Sequence, residues 1–99
     1  MNQLVLTARV AERKALRYTP AGLPVLDMLL THESQVEQEG QARTVRLDIR
    51  GRAIGSVVSA VERLEVGAAR RFSGFVGSQA NGRGIVFHLL EVGPAPLAS

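Results

Sequence analysis

Ninety-nine residues, 45% hydrophobic and 21% charged, allow one domain with one modest core and are too apolar for intrinsic disorder. The formal net charge is +3, and the absence of cysteine excludes disulfide frameworks, thiolate zinc sites and thiol nucleophiles. No apolar run approaches the roughly 20 residues of a membrane helix, and Met1-Asn2-Gln3-Leu4 lacks the order of a signal peptide; a cytoplasmic protein with no membrane contact is expected.

Along the chain, Leu4, Leu6, Ala8 and Val10 alternate with Gln3, Thr7 and Arg9, the period of a strand with one buried face. Thr19-Pro20-Ala21-Gly22 is a turn by composition. A second strand carries Leu26, Met28 and Leu30, with Asp27 and Leu29 between them. Residues 33–42 hold Ser, Gln, Glu and Gly without an apolar period and are expected to form a long exposed loop. In the third strand Val45, Leu47 and Ile49 point one way, and Thr44, Arg46, Asp48 and Arg50 the other. The period then changes: Ile54, Val57, Val58, Val61 and Leu64 lie on one face of a helix that ends near Gly67. The fourth strand places Phe72, Gly74 and Val76 on one face and Arg71, Ser73 and Phe75 on the other. Asn81-Gly82 marks a hairpin connection, and the fifth strand covers residues 85–92. Residues 1–93 thus form the domain, and residues 94–99 a flexible tail.

Five strands with a lone helix between the third and fourth predict an all-β protein with one short helix. The expected architecture is the OB-fold, a five-stranded, partly open Greek-key barrel. An open α+β sheet has the same element order and is the competing architecture. Gly74 inside a strand favours the barrel, which bends its strands where side chains would collide.

Catalysis finds no support. His32 and His88 are the two imidazoles, neither in a metal-binding spacing, and each reads as a satisfied or solvated side chain. Gly82-Arg83-Gly84 does not follow a strand and open a helix, so it lacks the basis of a phosphate-binding glycine loop. No cofactor and no metal are expected.

Binding of a polyanion fits better. Eleven of the twelve basic residues are arginine, with Lys14 the one lysine. Glu33, Glu37 and Glu39 sit together in the polar stretch, and the rest of the chain carries twelve bases against six acids. Arginine grips phosphates bidentately. Arg46 and Arg50 share the polar face of the third strand, about 13 Å apart at ordinary strand rise. Arg13, Lys14 and Arg17 cluster before the first turn with Tyr18 beside them, Arg43 begins the third strand, and Arg83 lies at the last hairpin. In an OB-fold these places border the groove on the second and third strands. These eight residues are the candidate nucleic-acid contacts. The plainer reading is that strand arginines solubilise a sheet or face an acid such as Asp48. Phe72 and Phe87 belong to the core; Tyr18 and Phe75 could stack on bases, and Phe75 could equally pack in a dimer contact.

The segments Asn2-Gln3-Leu4-Val5-Leu6-Thr7, Tyr18-Thr19-Pro20-Ala21-Gly22-Leu23-Pro24, Val66-Gly67, Gly74-Phe75 and Asn81-Gly82 with Ile85-Val86-Phe87-His88 resemble the primosomal replication protein N (PriB) family. The resemblance runs from about residue 2 to residue 92. It implies a homodimer of OB-folds that binds single-stranded DNA and joins a primosomal helicase and a loading protein at stalled replication forks. It also implies a groove built from bases before the first turn, an aromatic platform on the third strand and a lysine-rich last hairpin. Arg17 matches a basic position of the first group, whereas Arg46 falls where a stacking tryptophan is expected and Arg83 is the one base in the hairpin. With no tryptophan in the chain, modest affinity and little sequence preference follow. Two alternatives remain at this level: a general coating protein, disfavoured by a tail without acids, and an OB-fold adaptor that mainly binds protein. The first strand, with Val5 on its polar face, is the expected dimer edge.

Overall fold

The computed structural model describes residues 1–79 and 82–94. The elements follow in the order β1 (Leu4–Arg13), β2 (Arg17–Tyr18), β3 (Pro24–Gln38), β4 (Gln41–Ile54), α1 (Val57–Glu62), β5 (Ala69–Ser78) and β6 (Ile85–Gly93). Alternation along the long strands points Ala8, Val10, Leu26, Met28, Leu30, Ile49, Phe72, Phe87 and Leu89 into one core. Phe72 and Phe87 are its largest fully buried side chains, each stabilising the fold by about 2–3 kcal/mol through burial.

The strands pair in the order β1-β5-β6-β4-β3-β2, and β1 also pairs with β3. The second pairing makes a ring, so the five long strands form a closed barrel. β1 achieves this by dividing its length: residues 4–9 pair with β5 and residues 9–13 with β3. A bulge between Val10 and Glu12 helps it turn from one partner to the other. β4 and β6 are parallel, from Arg50↔Val86 to Ala53↔Leu89. Helix α1 packs against β3, β4 and β6, and Val58, Val61 and the following Leu64 enter the core.

The expected fold is present, with three corrections. Residues 33–42 are not a loop: β3 and β4 pair without interruption from Val25↔Ile54 to Gln38↔Gln41. Their connection is the two-residue turn Glu39-Gly40, with φ of 52° and 75°, the left-handed pair that suits strand twist. Ile54 ends β4 and is exposed rather than opening the helix. The helix is short, ending at Glu62; Gly67 lies beyond it with φ of 90° and donates its N–H to the Val10 carbonyl at 2.9 Å. The first turn forms as composition indicated, the Gly22 N–H donating to the Thr19 carbonyl at 2.8 Å. Asn81 and residues 95–99 lie outside the described residues.

Gly74 sits where β5 and β6 slip register by one residue. A Cβ there would lie 1.8 Å from the His88 carbonyl oxygen, a backbone collision that no rotamer relieves. Gly74→Ala is therefore expected to destabilise the barrel by about 3 kcal/mol or more, measured as the shift of the urea unfolding midpoint.

Candidate nucleic-acid interface

Period-two alternation on β4 continues past Arg50, so Arg52 shares the outward face. Its cross-strand partner is Asp27 on β3. The Arg52 Nε donates to Asp27 Oδ1 at 2.7 Å. From β2, Arg17 reaches the other oxygen, with Nη2 and Nε at 2.8 and 3.3 Å from Asp27 Oδ2. One carboxylate therefore holds two guanidinium groups that come from different strands. Burial raises the pKa of Asp27, but hydrogen bonds from Arg52 and Arg17, with their charges, outweigh it and hold the carboxyl below the usual range.

These residues border a groove of about 550 Å³. Lys14, Arg17, Arg50 and Arg52 line it against two acids, Glu12 and Asp27, while Leu29 and Val86 add apolar lining. Arg50 Nη1 lies 3.5 Å from Gln79 Oε1 at the start of the β5–β6 connection. The Lys14 ammonium is 3.6 Å from Glu12, with both side chains largely exposed. The cations are thus held at an open surface, with donors left to face an anion.

The eight residues selected from sequence separate into groups. Lys14, Arg17 and Arg50 come together in the groove. Tyr18 follows Arg17 on β2 and is exposed. Arg43 and Arg46 stand on the β3–β4 arm, where Arg43 donates to Gln38 Oε1 at 2.9 Å and Arg46 pairs with Glu33 at 3.0 Å. Arg83 lies in the β5–β6 connection between Gly82 and Gly84, both at positive φ. Arg13 turns toward the helix end: its Nη1 donates to the carbonyls of Val61 and Glu62, each at 3.0 Å, and to that of Leu64. A cation there satisfies carbonyls that the helix leaves open. Sequence reading passed over Arg52 and Asp27; ending the third strand at Arg50 hid the first, and nothing in the sequence alone pairs Asp27 with both arginines.

The closed five-stranded barrel, with its helix between β4 and β5, defines an OB-fold protein. A family model described as "another single-strand binding protein family" matches residues 2–91. Replication restart protein PriB of Bordetella pertussis is 43% identical over 76 residues, covering 77% of this chain and 71% of that protein. The structure of PriB from Ralstonia solanacearum superposes with a TM-score of 0.84 at 32% identity, covering 93% of this chain and 95% of that one. The wild-type single-stranded DNA binding protein of Thermus aquaticus gives a TM-score of 0.74 at 26% identity, covering 97% of this chain and 50% of that one. The chain belongs to the replication restart protein PriB family, within the single-strand binding proteins.

Because the folded-state pKa of Asp27 is lowered, the clamp stabilises the fold fully above the ordinary value of 3.8 and loses that contribution as pH falls through the folded value. Asp27→Asn should therefore be less stable than the parent at neutral pH, and the difference should shrink in urea unfolding series carried from about pH 6 to about pH 2.5. Arg13→Ala should lower stability by about 1–2 kcal/mol through the uncapped carbonyls, with oligonucleotide affinity unchanged in a parallel titration.

Proposed function

We propose that this chain binds single-stranded DNA along the β3–β4 face, as a non-catalytic accessory of cytoplasmic replication restart. The observation that carries this reading is the meeting of Lys14, Arg17, Arg50 and Arg52 at one open groove. Four cations against two acids make a polyanion the matching ligand, and the partly exposed Leu29 gives apolar surface within the same groove. Arg43 and Arg46 on the arm, and Arg83 in the β5–β6 connection, extend the basic surface as secondary contacts. Relatives named replication restart proteins, and a structural neighbour named a single-stranded DNA binding protein, favour DNA as the polyanion.

The proposal includes a homodimer. Residues 4–8 of β1 pair with β5, and no described strand pairs with their other edge. Val5 lies within that stretch and is half exposed. Two such edges can pair across a two-fold axis. Within the primosome, the dimer would join a helicase and a loading protein, consistent with the restart role that the relatives' names carry.

A labelled oligo-dT of about 30 nucleotides, titrated at about 20 and about 200 mM salt, tests the groove. The parent should bind saturably and more weakly at the higher salt. Arg50→Ala combined with Arg52→Ala should weaken binding and flatten the log–log salt dependence by about 0.7 for each phosphate no longer neutralised. Absence of binding by the parent at the lower salt would reject the DNA reading and favour a protein-binding adaptor.

A further inference from the structure

The groove's arginine cluster continues, by strand register, into an aromatic pair that the resemblance does not assign. Phe75 on β5 pairs with His88 on β6, His88 pairs with Arg52 on β4, and Arg52 pairs with Asp27 on β3. Arg17 of β2 completes the row through its contact with Asp27. One line thus crosses the strands from two rings to two guanidinium groups.

The rings of Phe75 and His88 stack with centroids 4.8 Å apart and planes 13° from parallel. They stand on the outside of the barrel, since Gly74 and Val76, the neighbours of Phe75, alternate inward. Phe75 remains 39% exposed, a large apolar surface that the fold itself does not cover. The next outward positions on β5 are Ser73 and Gly77, which leave the ring without a bulky neighbour along its own strand. A Cβ on Gly77 would lie 3.4 Å from His88 Nε2, so glycine keeps the imidazole edge clear. Arg52 follows His88 at one strand spacing, about 4.8 Å, and its side chain is a third exposed. Two parallel rings beside a guanidinium match the parts of a nucleotide: a base can stack on the rings and a phosphate can meet the cation.

We infer that the Phe75–His88 pair is a base-stacking platform of the groove, with Arg52 gripping the phosphate of the stacked nucleotide. The platform supplies stacking at the β5–β6 side, while the tryptophan position expected on β4 is occupied by Arg46, paired with Glu33. This inference rests on the single-stranded DNA reading and deepens it. Charge complementarity selects the occupant: the rings neighbour Arg52, whose guanidinium complements a nucleotide's phosphate.

The chain contains no tryptophan, so Phe75→Trp creates a single reporter at the platform. Oligo-dT should quench its emission saturably, at the same midpoint as the anisotropy of a labelled oligonucleotide. Phe75→Ala should weaken binding by about 5- to 150-fold, the range that loss of one stacked base gives, without changing the salt slope, because every phosphate partner is retained. Circular dichroism and light scattering on both variants establish folding and subunit number. Oligonucleotide binding by anisotropy without any change in tryptophan emission, together with parent-like affinity of Phe75→Ala, would overturn the platform while leaving the DNA reading intact. Dissociation of Phe75→Ala into monomers of undiminished affinity would overturn it in favour of a subunit contact. Failure of the parent itself to bind would reject the DNA reading, and the platform with it.

Discussion

β1 must serve two partners, and the closed barrel depends on that division. Its first residues complete the sheet with β5, and its last residues complete it with β3. Neither pairing alone makes a ring. The register slip after Val10 lets a single strand turn the corner, and the Gly67 N–H bonded to the Val10 carbonyl anchors the segment after the helix at the same corner. Closure brings β2, β3, β4 and β6 onto one continuous outer surface, where side chains remote in sequence become neighbours.

The groove follows from that surface. Arg17 and Arg52 are separated by 35 positions in the chain, yet both meet the carboxylate of Asp27. A carboxylate at the centre of a basic cluster costs some attraction for a polyanion. It also fixes two long side chains that would otherwise lose rotamer freedom on binding a ligand there. Preorganisation and charge therefore act in opposite directions at Asp27. On the exposed arm, the Arg46–Glu33 pair is worth at most about 1 kcal/mol, so it can open when a stronger anion approaches.

Much of the fold was legible because its signals were local. Alternation in residues 4–10, 26–30 and 72–76 follows from one face meeting the core, and the β1 face that carries Ala8 and Val10 is indeed buried; in residues 44–50 the same period appears, but Ile49 alone of its apolar face is buried and Leu47 is exposed. The arm escaped for the converse reason: residues 33–42 project beyond the core, so neither face needs apolar side chains and no period appears. Glu39 holds a left-handed conformation with φ of 52°, which glycine or asparagine would have signalled more clearly. Ile54 was misplaced because an isoleucine before Val57 and Val58 satisfies helical spacing while it also ends a strand. In the groove, Lys14, Arg17 and Arg50 were recognisable as bases near the expected face. Arg13 looked equivalent to them, and only the tertiary position of the helix end separates it. The meeting of Asp27 with two arginines, and of Phe75 with His88, depends on register between strands, which no local pattern encodes.

If single-stranded DNA lies across β3 and β4 over the Asp27 clamp, the clamp residues must respond to it. The most direct measurement is amide and side-chain chemical-shift mapping by NMR during addition of a short oligo-dT. Saturable shifts are predicted to centre on Lys14, Arg17, Asp27, Arg50 and Arg52, including the guanidinium Nε–H signals of both clamped arginines. Shifts confined to the tip of the arm or to the free edge of β1, with the clamp signals unmoved at saturation, would contradict that placement of the DNA.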